Sequence, residues 1–328
     1  MPRAIWTLAI IVPVCMAGCG RSATTISALE AQVRRNPDSV EHLVALGEAY
    51  LEEEMKHNAF IQFSRAWERA PSSFDAAYGL ARAHAALGDR RQALRTVDEA
   101  LEIDPESVEA LTLRGRLHLA AGDPEAAIDD LERALKLDPD SEEALRRLPL
   151  AYLRGGQRER AEEAAREACE RRPDDVDAHL NLALVLALGK QYDEAEQLLR
   201  EAMALAPDDT RPPFRLAEVL LVQEEKLEEA VELAERAAAG GERRGEAGAL
   251  AAMALRKLGR KREAVERLHE AATTSPRSIR LWLMLSAAYR EIGEEEAAAK
   301  AAAVAVRLAP RRAIREGEGG EMIVTPEW

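Results

Sequence analysis

The stretch VEALTLRGRLHLAAGDPEAAIDDLERALKLDP, residues 108–139, divides into two amphipathic halves joined by a short break. Gly122 suits the end of a first helix, Asp123 is a favoured N-cap residue, and Pro124 fits the first turn of a second helix. Pro139 stops the second half, because proline lacks the N–H that a continuing helix needs. The stretch therefore predicts a helix-turn-helix unit.

The same unit recurs along the chain every 34 residues. The prolines that close it are Pro37, Pro71, Pro105, Pro139, Pro173, Pro207, Pro276 and Pro310. One alanine column with this period is Ala59, Ala93, Ala127, Ala161, Ala195, Ala230, Ala264 and Ala298, and a second is Ala66, Ala100, Ala134, Ala168, Ala202, Ala237, Ala271 and Ala305. Such a period indicates stacked repeats, each of which contacts mainly its neighbours.

The spacing and the residue choice resemble the tetratricopeptide repeat (TPR) over roughly 40–310. This resemblance implies an all-α fold, an α-solenoid of about eight helix-turn-helix repeats that forms a right-handed superhelix with its first helices on the concave face. The repeats are predicted at 40–73, 74–107, 108–141, 142–175, 176–209, 210–244, 245–278 and 279–312. Residues 26–36 are predicted to form an N-terminal capping helix, and residues 313–328 a flexible tail. Pro149 lies inside the first helix of repeat four and predicts a kink near Leu145.

The N-terminus carries a second resemblance. Residues 4–14 are an apolar run too short to cross a bilayer comfortably. The segment Met16-Ala17-Gly18-Cys19 that follows resembles a bacterial lipobox, which implies a signal peptide at 1–18, a lipid on Cys19 and a tether at 19–25. With Gly20 next, the resemblance implies an exported protein held at the outer membrane and facing the periplasm, if the host has two membranes. Two alternatives to a lipoprotein signal are an ordinary secretory signal that is cleaved near Ala17 and an uncleaved membrane anchor.

Charge and motifs narrow the functional classes. The net charge of −14 argues against broad affinity for nucleic acid or an anionic membrane surface. The sequence contains no HExxH, Walker-type glycine loop or GxSxG. His84 and His118 share a repeat position and could bind a metal or fill an interhelical slot, and Cys169 could be a nucleophile or a packed residue. We favour packing for all three and predict no catalytic residue, metal or cofactor.

Candidate binding residues are those at the fifth and ninth places of each repeat, which the resemblance places on the groove. The predicted protein-binding groove comprises Tyr78, Arg82, Thr112, Arg116, Arg146, Leu150, Leu180, Leu184, Phe214, Met253 and Leu283. Arginines cluster in the early repeats and apolar residues in the later ones, which favours a partner segment with acidic and hydrophobic parts. Alternatively, the leucines pack on neighbouring helices and the arginines pair with local acids.

Two functions compete on this basis. The favoured one is a non-enzymatic, lipid-anchored scaffold that binds envelope proteins or peptides in its groove during assembly or secretion, for example in pilus biogenesis or polysaccharide export. The other is an accessory regulator of an envelope enzyme, such as a cell-wall synthase or hydrolase. Both place the protein at a membrane through its lipid, and neither involves nucleic acid.

Overall fold

The computed structural model describes residues 20–241, 243–309, 314–316 and 322–324, and confirms the all-α repeat fold over the helical part of this range. The chain divides into two compact units, Met1–Ala144 and Leu145–Trp328. The described helices of the first unit are α1 (Gly20–Arg35), α2 (Val40–Glu52), α3 (Lys56–Arg69), α4 (Phe74–Leu87), α5 (Arg90–Ile103), α6 (Val108–Ala121) and α7 (Pro124–Leu137). The boundary falls within α8 (Glu142–Arg154). In the second unit lie α9 (Arg158–Arg171), α10 (Val176–Leu188), α11 (Tyr192–Leu205), α12 (Arg211–Gln223), α13 (Leu227–Ala239), α14 (Arg244–Lys257), α15 (Lys261–Thr274), α16 (Ile279–Glu291) and α17 (Glu295–Leu308).

Side-chain caps define the helix pairs. Ser107 Oγ accepts a hydrogen bond from the backbone N–H of Ala110 at the start of α6, and Asp123 Oδ1 accepts one from Ala126 at the start of α7. Gly122 ends α6 with a φ of +83°, a left-handed conformation that glycine adopts without steric cost. The capping roles predicted for Gly122 and Asp123 are confirmed.

The two alanine columns lie at the crossings between helices. Members of the first column are at most 1% exposed, and members of the second at most 3%. Because alanine has no side chain beyond Cβ, each crossing brings two backbones close together while larger residues such as Leu131 and Leu268 fill the space beside it. The period seen in the sequence is therefore the spacing of these crossings.

Helix α1 packs against the first repeat and overlaps the predicted capping helix at 26–35. Val33 is buried with Leu43 and Phe63, and the Tyr50 hydroxyl donates a hydrogen bond to Glu30 Oε1 at 2.8 Å. The helix begins at Gly20, so residues 20–25 of the predicted tether are helical. This segment contains no glycine or proline after Gly20 that would stop the helix from extending toward the N-terminus.

Three arginines tie second helices to the preceding interrepeat loops. The guanidinium groups of Arg65, Arg133 and Arg236 donate to the backbone carbonyls of Pro37, Pro105 and Pro207, at 3.2, 2.7 and 2.5 Å respectively. Proline has no backbone N–H, so its carbonyl oxygen is its only backbone group that can form a hydrogen bond. These contacts, which we call the arginine–proline clamps, join repeats one, three and six to the loops before them.

Two places differ from simple repeat geometry. Helix α8 continues through Pro149, and a kink near Leu145 stays a prediction. Part of the predicted flexible tail is ordered as a two-stranded antiparallel sheet, β1 (Ile314–Glu316) and β2 (Met322–Val324), in which Ile314 is opposite Val324. The other tail residues from 313 lie outside the described residues. The strand segments are rich in β-branched residues, which favour extended backbone.

Within the described residues, no helix has both the length and the apolar character needed to span a membrane. The predicted signal peptide and Cys19 lie outside the described residues. Both therefore stay predictions.

Candidate functional site

Two of the predicted groove arginines are already paired with carboxylates. Arg82 Nη1 donates to both oxygens of Glu48, at 2.7 and 2.5 Å, and its guanidinium lies 5.6 Å from the ring centroid of Tyr78. Arg146 Nη1 lies 3.0 Å from Asp177 Oδ2. For these two residues the structure supports the alternative interpretation, in which the arginines pair with local acids.

The predicted residue Thr112 is buried and offers no exposed hydroxyl. Its Oγ1 donates to the backbone carbonyl of Glu109 at 3.0 Å, within the same helix turn. Threonine often bonds backward in this way in a helix. The prediction therefore placed Thr112 on the correct helix, but its side chain serves the helix itself.

A basic cavity occurs in the first unit. It has a volume of about 400 Å³, and its lining includes Arg82, Arg90 and Arg116 above Ala86 and Leu117. Arg82 and Arg116 are the ninth residues of repeats two and three and belong to the predicted groove residues, whereas Arg90 comes from the start of the second helix α5 and was not predicted. One of the three guanidinium groups, that of Arg82, is already paired with Glu48.

The second unit brings four of the predicted apolar residues to one place. A cavity of about 450 Å³ between α10 and α12 is lined by Leu180, Leu184 and Phe214. A second cavity, of about 340 Å³, extends from Phe214 to Met253 on α14. The two cavities share Phe214, and together we call them the α12 groove.

Phe214 forms the floor shared by both parts of the α12 groove. Its side chain is buried, with 6% of the residue exposed, and two guanidinium groups approach its ring, Arg243 at 5.5 Å and Arg215 at 6.0 Å from the centroid. Cations over an aromatic face contribute roughly 0.5–1 kcal/mol each at exposed sites. These contacts hold the Phe214 ring in place, so this part of the groove surface is preformed without a ligand.

A carboxylate shared between repeats forms the rim of the α12 groove. Asp177 lies 3.0 Å from Arg146 and 2.5 Å from Arg211, which come from the repeats before and after it. Arg211 also binds Asp209 at 2.6 Å. Although burial opposes ionisation of Asp209, hydrogen bonds from the Arg211 side chain and backbone hold the pKa of this carboxyl below its ordinary value. The rim therefore carries fixed charges of both signs at neutral pH.

The rim residues were missed, although the sequence contains a signal for them. The second place of each repeat is acidic in the first five repeats, at Glu41, Asp75, Glu109, Glu143 and Asp177, and then reads Arg211, Glu246 and Arg280. Arg211 is the first basic residue in that column and pairs with the last residue of the acidic run. A change of sign in one repeat position therefore marks the start of the α12 groove.

The predicted groove residues Leu150 and Leu283 do not line the α12 groove. Leu283 is partly buried and packs with Trp282 against Ile279 and Ala305. Leu150 is half-buried on α8. Leu283 therefore matches the alternative prediction, in which groove leucines pack on neighbouring helices.

His84 and Cys169 have surroundings that match packing roles, whereas His118 lies 4.0 Å from the carboxylates of Asp123 and Asp130. His84 makes an edge contact with the ring of Phe60, with centroids 5.1 Å apart, and His179 Nδ1 lies 2.9 Å from the carbonyl oxygen of Asp175. Burial raises the pKa of the Cys169 thiol to about 11, so the reactive thiolate is scarce at neutral pH. Among the described residues, no three His, Cys, Asp or Glu side chains are arranged to hold a metal ion.

Solved structures with the same fold include several repeat proteins. A tetratricopeptide repeat protein from Parabacteroides merdae shares 20% identity over 71% of this chain and 92% of its own, with a TM-score of 0.59. PilF of Pseudomonas aeruginosa shares 21% identity over 60% of this chain and 89% of its own, with a TM-score of 0.53. A chain of the APC/C hetero-tetramer Cut9–Hcn1 shares 14% identity with this chain, with a TM-score of 0.56. The match covers 89% of this chain and 57% of the matched chain. At these identities the likeness extends to the fold alone.

The sequence itself matches a known family, although no curated protein matches it significantly. The description of the matching family is tetratricopeptide repeat, and the match extends over residues 78–142, 149–210 and 250–313, more than half of the chain. A second tetratricopeptide repeat family matches residues 118–179. The buried alanine columns, the capped helix pairs and these matches agree, and the chain belongs to the tetratricopeptide repeat family.

Proposed function

We propose that this protein is a non-enzymatic scaffold of the bacterial cell envelope, anchored by a lipid on Cys19, that binds segments of partner proteins. The observation that carries the binding role is the α12 groove, where Leu180, Leu184, Phe214 and Met253 from consecutive repeats line adjoining cavities. Concave apolar sites with a few fixed polar groups are typical of ligand binding. Binding in this groove needs no catalytic residue and no cofactor.

The sizes of the cavities fit side chains of a peptide. Volumes of about 450 and 340 Å³ each accommodate one or two large apolar side chains. Burying one such side chain contributes roughly 1.5–3 kcal/mol. Part of that gain offsets the freedom that the peptide loses on binding. The rim pairs around Asp177 and Arg211 supply polar partners for the peptide backbone or for charged side chains.

Crosslinking in intact cells tests the binding role. The full chain with Leu180→Asp or Met253→Asp is compared with wild type after crosslinking, affinity purification and quantitative mass spectrometry. Both residues line the α12 groove and are partly exposed. A buried carboxylate is strongly unfavourable in an apolar cavity, so we expect the captured partners to fall at least fivefold.

Leu205→Asp provides the matched control. Leu205 is 41% exposed at the end of α11 and receives the same substitution. Partners that are captured equally well by all three variants and by wild type would rule out the α12 groove as the binding site.

The lipid anchor has its own test. Cys19→Ala removes the thiol that a lipid would modify, and acyl chains contribute roughly 0.8 kcal/mol per buried CH₂ to membrane binding. We expect the variant to move from the membrane fraction to the released fraction, and the wild-type protein to show an acylated Cys19 by mass spectrometry of its N-terminus. Membrane association that is unchanged by Cys19→Ala would contradict the anchor. Cys15→Ala is the control, because the signal peptide would carry Cys15 away.

A further inference from the structure

Two large apolar residues are exposed at equivalent places in neighbouring repeats. Leu188 and Val222 are the thirteenth residues of repeats five and six, and they are 48% and 62% exposed. The other repeats carry charged residues or alanine at this place, namely Glu52, Ala86, Ala120, Arg154, Lys257 and Glu291. The exposed pair is therefore a local feature of these two repeats and not a property of the repeat.

Leu188 and Val222 lie on a cavity beyond the α12 groove. It has a volume of about 330 Å³, and its walls include Ala187, Leu199 and Val219 from α10, α11 and α12. We call it the Leu188–Val222 cavity. It adjoins the α12 groove through Leu184, Arg215, Glu218 and Val222, which line both. Its wall is largely aliphatic, so it accepts an apolar group of about the size of a leucine or phenylalanine side chain.

A lysine with an unusual backbone conformation stands at the rim of this cavity. Lys190 has a φ of +64°, a left-handed conformation that is unfavourable for a residue with a Cβ. It occupies the fifteenth place of its repeat, where five other repeats carry Gly88, Gly122, Gly156, Gly259 and Gly293 and the remaining two carry Glu54 and Glu224, all with positive φ. The left-handed residue is therefore a regular feature of the repeat turn. Lys190 differs from the other residues at this place in its basic side chain.

The charge of Lys190 is available to a ligand. Lys190 is exposed and lines the cavity, and within the described residues no carboxylate pairs with its ammonium group. Lys226 and Lys257 differ in this respect, because they pair with Glu196 at 2.7 Å and with Glu224 at 2.6 Å. An unpaired cation beside an apolar cavity is complementary to an apolar side chain with a neighbouring carboxylate.

We propose that the Leu188–Val222 cavity receives one bulky apolar side chain of a partner segment, with an adjacent acidic residue of that segment paired to Lys190. This inference rests on the proposed function, since it defines the chemistry of a segment that extends from the α12 groove. It assigns specificity to Leu188 and Lys190, which line this cavity and not the two cavities of the α12 groove. The expected recognition element is Leu, Ile, Met, Phe or Trp next to Asp or Glu.

Peptide selection followed by binding measurements tests this inference. A phage-displayed library of random dodecapeptides is panned on the full chain purified in detergent, and the most enriched peptide is synthesised with a fluorescent label. We expect enrichment of a bulky apolar residue next to an acid. In fluorescence anisotropy, Leu188→Asp and Val222→Asp should each raise the Kd of that peptide at least tenfold, while the control Leu205→Asp changes it less than twofold.

Charge exchange makes the test specific for Lys190. Lys190→Glu should weaken the selected peptide at least tenfold, and replacing the acid of the peptide by lysine should restore most of the binding to this variant alone. Lys190→Gly removes both the charge and the unfavourable φ, so it should raise the Tm by a few degrees while it weakens binding. If Lys190 had only a structural role, Lys190→Gly would not raise the Tm and weaken peptide binding at the same time.

Other outcomes overturn the inference in distinguishable ways. If selected peptides lose binding with Leu180→Asp or Val222→Asp but keep it with Leu188→Asp and Lys190→Glu, the α12 groove remains the binding site and the inference about this cavity fails, because Val222 lines the α12 groove as well. If no selected peptide responds to any of these variants, both proposals fail. If sedimentation shows a dimer that Leu188→Asp dissolves, the exposed pair is a contact between copies of this chain, and the proposed partner is wrong.

Discussion

Gly79→Ala is expected to destabilise the first unit by about 3 kcal/mol, at the upper end of the range for overpacking. A Cβ atom built on Gly79 would lie 2.1 Å from Cε1 of Phe63 and 2.3 Å from Cδ1, far inside contact distance. Phe63 is fully buried between α2 and α4, and Gly47 also approaches this ring, since a Cβ at Gly47 would lie 2.8 Å from Cζ. A methyl group at Gly79 would therefore have to displace a ring that is already closely surrounded.

Urea denaturation of the full chain followed by circular dichroism measures this loss, and hydrogen exchange localises it to α2, α3 and α4. Phe63→Leu in the Gly79→Ala background should recover part of the stability, because the smaller side chain vacates the space that the new methyl group occupies. The coupling between the two sites is then favourable. Gly248→Ala in α14 is the milder control, since its Cβ would come no closer than 3.0 Å to Ala271. A Gly79→Ala protein as stable as wild type would mean that Phe63 does not occupy this position.

Arg114→Met is expected to cost roughly 3–5 kcal/mol, the range for removing one partner of a buried ion pair. Arg114 donates to Asp130 at 2.6 and 2.9 Å and to Asp98 at 2.8 Å, and so joins three successive helices of the first unit. The hydrogen bonds to Asp130 hold the pKa of Arg114 above its ordinary value, although burial opposes this. The side chain of Asp130 is only 7% exposed, so without Arg114 its charge would be buried beside His118, whose Nε2 lies 4.0 Å away, and would lose its two shortest hydrogen bonds.

The double variant Arg114→Met with Asp130→Leu separates the two causes of this loss. It removes the stranded charge and should be close to wild type in stability, because well-packed apolar groups can replace a buried ion pair at little cost. Arg95→Met is the control: Arg95 is 68% exposed and lies 3.7 Å from Glu99 in an i,i+4 pair, so its loss should stay within about 0.5 kcal/mol. Equal losses for Arg95→Met and Arg114→Met would show that burial of Asp130 has no energetic role. Urea denaturation provides the measurement for all three variants.

The repeat architecture could be predicted from sequence because the residues that determine it act within a single repeat. An alanine in a crossing, a proline in a loop and a left-handed glycine such as Gly122 are each selected by local geometry, and the 34-residue period shows them repeatedly. The predicted placement of Leu180, Leu184 and Phe214 on one surface follows from the same register. The family and the all-α fold were therefore accessible before any coordinates.

Contacts between particular side chains of different repeats were harder to predict. The groove prediction located Arg82 but not its pairing with Glu48, which occupies the same place one repeat earlier. The 34-residue register shows which backbone positions of neighbouring repeats face each other. Whether an ion pair such as Arg82–Glu48 forms depends in addition on how far the two long side chains reach. The close contacts of Gly47 and Gly79 with Phe63 were missed for a related reason: neither glycine belongs to the two alanine columns, and only the position of the ring explains Gly79.

The predictions at the ends of the chain depended on composition, which is a weaker guide. Polar residues after Gly20 were interpreted as a tether, yet α1 includes them, and part of the glycine-rich tail pairs as strands. Neither segment lies inside the 34-residue period. A short polar segment that occurs only once cannot be aligned with equivalent segments of other repeats, so its secondary structure is harder to predict.

The arginine–proline clamps bear on how such an array can change its length. Each of these arginines reaches the carbonyl just before the first helix of its own repeat, and the prolines recur at the same place along most of the chain. An arginine copied with its repeat into a new position therefore meets an equivalent carbonyl there. Gene duplication or loss of a whole repeat leaves this contact intact, so the number of repeats can vary among descendants without a new junction having to evolve.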